Sequence, residues 1–158
     1  MWRQRARTDP LVVADWLILL GGVGLFASLF LTWSHQLSPG VLAAAAGSGA
    51  LRGVPADPTA WQVYSVADEL LALLAAALVI GALAGSMTWR LVVLGACWLA
   101  LAFTLHALAA PPTNGVLLVG PGAKGYVARP ATAGVGETLA LVSLALAASG
   151  LGVSLVRR

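Results

Sequence analysis

Charge is what this chain has least of. Asp, Glu, Lys and Arg make up 9% of its 158 residues, against 59% hydrophobic. A soluble domain carries about 25% charged residues to keep its surface wet, so a water-exposed globular coat is excluded. Lysine occurs once, as Lys124, while arginine occurs eight times. With the abundance of Ala, Gly, Val and Leu, that bias points to a high-GC bacterial gene. The single cysteine, Cys97, rules out an intramolecular disulfide framework. It falls within an apolar run and reads as a small packing residue. The net charge of +3 is too small and too scattered for a nucleic-acid partner. Catalytic signatures are missing as well: there is no Gly-x-Ser-x-Gly elbow, no His-Glu-x-x-His and no Cys-x-x-Cys.

What is present is a set of long apolar runs. Hydrophobic segments with almost no charge at mid-depth predict an all-α protein, a four-helix transmembrane bundle forming one domain over residues 1–158. The expected spans are 10–33, 66–87, 89–109 and 135–156. Asp9-Pro10 supplies an N-cap and a first-turn proline for the first. Its basic start also resembles a secretory signal, but the run exceeds the usual apolar core of about 7–15 residues, which argues against cleavage. Gly85-Ser86-Met87-Thr88 leaves room only for a tight turn, so spans two and three form an antiparallel hairpin. Pro111-Pro112 closes span three.

Two longer connections, 34–64 and 110–134, are expected to build a small extracytoplasmic loop cap. In the first, Val41 to Ala46 suggests a short helix lying on the membrane. In the second, Val116–Val119 and Tyr126–Ala128 flank a Gly-Pro-Gly turn and suggest a short β-hairpin. The Gly120–Gly125 turn with Lys124 is not a phosphate loop, because Lys precedes the last Gly and no Gly-Lys-Ser/Thr opens a helix. Arg3, Arg5, Arg7, Arg90, Arg157 and Arg158 fall beside the spans on one side, and Arg52, Lys124 and Arg129 on the other. The positive-inside rule then places both termini in the cytoplasm of a bacterial cell membrane.

The stretch Trp61-Gln62-Val63-Tyr64-Ser65-Val66-Ala67-Asp68-Glu69 organises the fold on the outer side. Trp61 and Tyr64, and Trp33 at the end of span one, read as headgroup-layer anchors. Ser65 and Asp68 have capping-box-like spacing, and Asp68 with Glu69 suits a helix N-terminus. Asp68 is also expected to bond its own helix start or to pair with Arg129. His35, His106 and Glu137 lie near the same face as Asp68 and Glu69, and these five side chains are the candidates for a zinc-type set. None has ligand spacing in sequence, and helix starts account for the carboxylates. On the other side, Asp15 and Arg90 are placed either to pair or to reach the interface separately. Small-residue steps, Gly24 and Ser28, Ala77, Gly81 and Gly85, and Ala148 and Gly152, mark expected helix contacts within the bundle.

Leu31-Thr32-Trp33, followed by Trp61 through Asp68, resembles a pattern of uncharacterised four-span actinobacterial integral membrane proteins. The resemblance implies the span order and no activity. Claudin-type tetraspan proteins share the span count, but their first loop carries a Cys pair that this chain lacks. The functional expectation is a non-enzymatic membrane protein, without cofactors or a metal, that binds or assembles with another membrane component. Its partners are the lipid bilayer and another membrane protein or a second copy of itself. The alternatives are a small carrier or channel subunit for an apolar or lipid-like ligand and, more weakly, an outward-facing metal-dependent enzyme.

Overall fold

The computed structural model describes residues 9–37, 43, 55–84, 86–113 and 131–156. Helix α1 runs Pro10–Ser28. Asp9 caps it, its Oδ1 accepting from the Leu11 N–H at 3.0 Å, with Pro10 in the first turn where no N–H is needed. A two-residue strand β1 (Ser34–His35) and a one-turn helix α2 (Ala60–Val63) follow. Then come α3 (Ala67–Ala84), α4 (Met87–Ala109), strand β2 (Thr132–Ala133) and α5 (Val135–Val156). Ser86 starts α4 by accepting the Trp89 N–H at 3.3 Å, so the connection to α3 is shorter than the sequence suggests.

Among the described residues, α1, α4 and α5 are long and apolar enough to cross a membrane. The long helices pack in the order α3, α1, α5, α4. The α1–α5 contact is the most extensive and the α3–α4 contact the thinnest. Large apolar side chains cover the outside as well as the inside: Trp16, Leu20, Leu73, Trp98, Leu99 and Val142 are all exposed. Such an exterior suits lipid, and helix association then depends on close approach. At Gly21 an added Cβ would lie 2.6 Å from the Ser143 carbonyl, and at Gly150 it would lie 2.7 Å from that of Ala14. These two glycines let α1 and α5 touch backbone to backbone. The expected stripe is corrected here. Gly24 does face Ser143, but Gly152 meets nothing within 4 Å, so α5 turns Ser143, Ala147 and Gly150 inward.

The largest departure from the sequence reading is at 29–33. These residues were expected to continue span one, but α1 ends at Ser28. Its hydroxyl donates to the Leu25 carbonyl at 2.6 Å, and the chain then turns. Thr32 and Trp33 are extended because other segments use their backbone. The Trp33 N–H donates to Pro58 O (2.9 Å), Gly134 N–H to Trp33 O (2.8 Å) and Gly136 N–H to Thr32 O (2.7 Å). Thr32 also bridges Thr59, and β1 pairs antiparallel with β2, Ser34 opposite Ala133 and His35 opposite Thr132. The two connections therefore do meet, through these short strands. The expected helix over 41–46 and the hairpin over 116–128 lie outside the described residues, as does Arg129, apart from the single helical position 43.

Candidate functional site

The loop end of the bundle is built around Trp33. Instead of anchoring at a membrane surface, its side chain is the largest among those fully buried, and its indole N–H donates to the Ser28 carbonyl at 2.8 Å. Tyr64 meets it edge to face at 5.6 Å between centroids, and Phe103 of α4 meets Tyr64 at 5.3 Å. The three rings join the first connection to α4. Gly136 lets the indole lie on the first turn of α5, since a Cβ there would be 2.5 Å from Trp33 Cδ1.

The next residue is Glu137, which is 1% exposed, and neither carboxylate oxygen has a hydrogen-bond partner. Its negative charge acts on Tyr64. Burial first, and Glu137 second, push that phenol up to about 12. Asp68, in the first turn of α3, is 4% exposed, and its Oδ1 is also unpartnered. Ser34 Oγ, fully buried on β1, is a fourth unpartnered oxygen. Buried polar atoms are nearly always paired, so this concentration at one end marks the site.

The remaining expected residues do not join it. His35 Nδ1 donates to Asp57 Oδ1 at 2.6 Å, and both side chains are about half exposed. Asp57 is thus engaged and not simply a solvated loop residue. His106 and Glu69 are exposed. Among the described residues, no three His, Cys, Asp or Glu side chains gather to hold a metal. Trp61 lies on the flank, 5.9 Å from Phe30, which in turn lies 5.3 Å from Phe26, so an outward-facing row of three rings rises from α1 to α2.

The expected capping box at Ser65–Asp68 is also corrected. Asp68 Oδ1 is buried without a partner, and no side-chain cap is seen at the start of α3 among the described residues. The cap-like contact occurs earlier, where the Thr59 N–H donates to Gln62 Oε1 at 3.1 Å and starts α2. At the opposite end, Arg90 Nη2 donates to Asp15 Oδ1 at 2.9 Å, with Arg90 buried and Asp15 41% exposed. The two side chains pair instead of reaching the interface separately.

Sequence reasoning missed the weight of Glu137, treating it as one more acidic helix start. The usable signal was local. Gly134 and Gly136 precede it, and two glycines at a helix start indicate another chain segment passing close by. No family model, no curated protein and no solved structure matches this chain.

Proposed function

We propose that the chain is a four-span integral membrane protein of the bacterial cell membrane, with cytoplasmic termini, that assembles with another membrane protein through its loop end. The observation that carries this reading is the construction of that end. Backbone bonds from three segments, closed over a buried Trp33, hold an exposed aromatic row, Phe26–Phe30–Trp61, in fixed geometry. Aromatic residues held rigidly on a surface are typical anchors for a protein partner. Helix α3 serves as the fourth span. It has 18 residues, and beyond Glu69 it carries no charge along its length.

A second reading, a carrier for an apolar ligand, draws on an open depression at the same end, lined by Leu108, Pro111, Thr113 and Ala131–Ala133. The metal-dependent enzyme has no donor set among the described residues.

Photo-crosslinking separates the two readings. A benzophenone amino acid replacing Trp61 should give a discrete protein adduct in native membranes, and one replacing Leu83 on α3 should not. Adducts to lipid alone from Trp61 would favour the carrier. Topology is tested in a Cys97→Ala background. Thr113→Cys should react with an impermeant thiol reagent added outside cells, whereas Ser86→Cys should not. The reverse result would invert the orientation.

A further inference from the structure

Glu137 is shut away from water, yet the groups around it are occupied elsewhere. Two N–H groups at the start of α5 are spent on the first connection: Gly134 donates to Trp33 O at 2.8 Å and Gly136 to Thr32 O at 2.7 Å. The two ion pairs among the described residues are also closed without it. Arg90 is bound to Asp15 at the far end of the bundle, and His35 is bound to Asp57. Trp33, Tyr64 and Phe103 wall the loop end with rings. A carboxylate in such a place either takes up a proton or holds a counter-charge.

A further oxygen without a partner lies on the neighbouring strand. Strand β1 lies against α5, and its Ser34 hydroxyl is fully buried and unpartnered. An unpartnered carboxyl at the start of α5 and an unpartnered hydroxyl on β1 therefore occur on two elements in contact.

We propose that Glu137, with the Ser34 hydroxyl, forms a binding site for a small monovalent cation of the sodium class. Carboxylate and hydroxyl oxygens are hard donors and suit a hard cation. One carboxylate balances one positive charge. A calcium ion would call for about six to eight oxygens, several of them from carboxylates. Among the described residues no three acidic, His or Cys side chains gather. The site is independent of the assembly proposed above, because Glu137 faces inward and the aromatic row faces outward.

The test uses the full chain in detergent micelles, with thermal unfolding followed in sodium, potassium or choline chloride at constant ionic strength and pH. Sodium at about 100 times its Kd should raise Tm by about 5–10 °C over choline. Equilibrium dialysis with radioactive sodium should find one ion bound per chain. Glu137→Gln keeps the side-chain shape and removes the charge, and it should lose both the Tm response and the bound ion. Ser34→Ala should keep the response at a higher half-saturating concentration. This variant and the wild-type salt exchange decide the matter if Glu137→Gln does not fold. Equal Tm in all three salts overturns the proposal, as does a sodium response that survives in Glu137→Gln. A Tm that follows pH in choline and ignores both metal ions also overturns it, since the occupant would then be a proton.

Discussion

The indole of Trp33 lies on the backbone of Gly136, where even a methyl group would fall 2.5 Å from Cδ1, 2.8 Å from Nε1 and 2.9 Å from the Ser28 carbonyl. The contact locks the end of α1 to the start of α5. Gly136→Ala must therefore push the ring or the helix aside, at a cost of about 1–3 kcal/mol. Trp33→Ala should cost more, about 3–5 kcal/mol, through the cavity it leaves. Thermal unfolding in detergent checks both. A Gly136→Ala variant that melts with the wild type would show that the contact relaxes freely.

The Asp15–Arg90 pair is lopsided, with the arginine buried and the aspartate 41% exposed. Removing one partner should therefore cost more than removing the other. Asp15→Ala strands a buried guanidinium and should cost about 3–5 kcal/mol. Arg90→Met leaves a carboxylate that is already 41% exposed near the start of α1, and it should cost less than Asp15→Ala. The double variant should be more stable than Asp15→Ala alone. Equal losses from the two single variants would show that the pair is worth the same from both sides and that burial of Arg90 is incidental.

Tyr64 supplies a pH dependence. Its phenol lies at about 12 in the fold, against 10.0 in the free side chain, because burial and the Glu137 charge both oppose ionisation. Below pH 10 the neutral phenol is present in folded and unfolded chains alike, and its contribution to stability is complete. Between pH 10 and about 12 the unfolded chain releases that proton first, so stability falls as pH rises. Tyr64→Phe removes the ionisation and should flatten that part of the profile. Parallel declines of Tm in wild type and variant between pH 9 and 11.5 would exclude this role.

These contacts also show why the sequence was readable in some places and not in others. Asp9-Pro10 announced α1 because a cap and a first-turn proline act through adjacent residues. The bounds of α5 were equally clear, since Gly134 and Arg157 bracket an apolar run. Trp33 was misleading because a tryptophan closing an apolar run gives one signal for two environments, a headgroup layer and a folded cap. Which of them holds depends on Pro58 and Gly134, distant residues that take up its backbone N–H and C=O. Strands of two residues carry no periodicity, so β1 and β2 could not be read. Small residues appeared on more than one face of α5, and only the partner helix decides that Gly150 packs while Gly152 does not. For Glu137 its helix-start position was legible, but its isolation was not, because that depends on where other chain segments spend their N–H groups.

Asp68 gives the last prediction. As an ordinary cap it would destabilise the protein when removed, by about 0.5–2 kcal/mol. The structure reverses that sign. Asp68 is 4% exposed, and Oδ1 accepts no hydrogen bond. A buried unsatisfied polar group costs about 1–3 kcal/mol, while the favourable charge–dipole term at the start of α3 returns only about 0.3–1 kcal/mol. Asp68→Ala should therefore leave stability unchanged or raise it by about 1 kcal/mol. Asp57→Ala, which breaks the exposed pair with His35, should cost less than about 1 kcal/mol. Melting curves of the two variants side by side settle the sign, and a clear loss in Asp68→Ala would mean that the carboxylate does cap its helix.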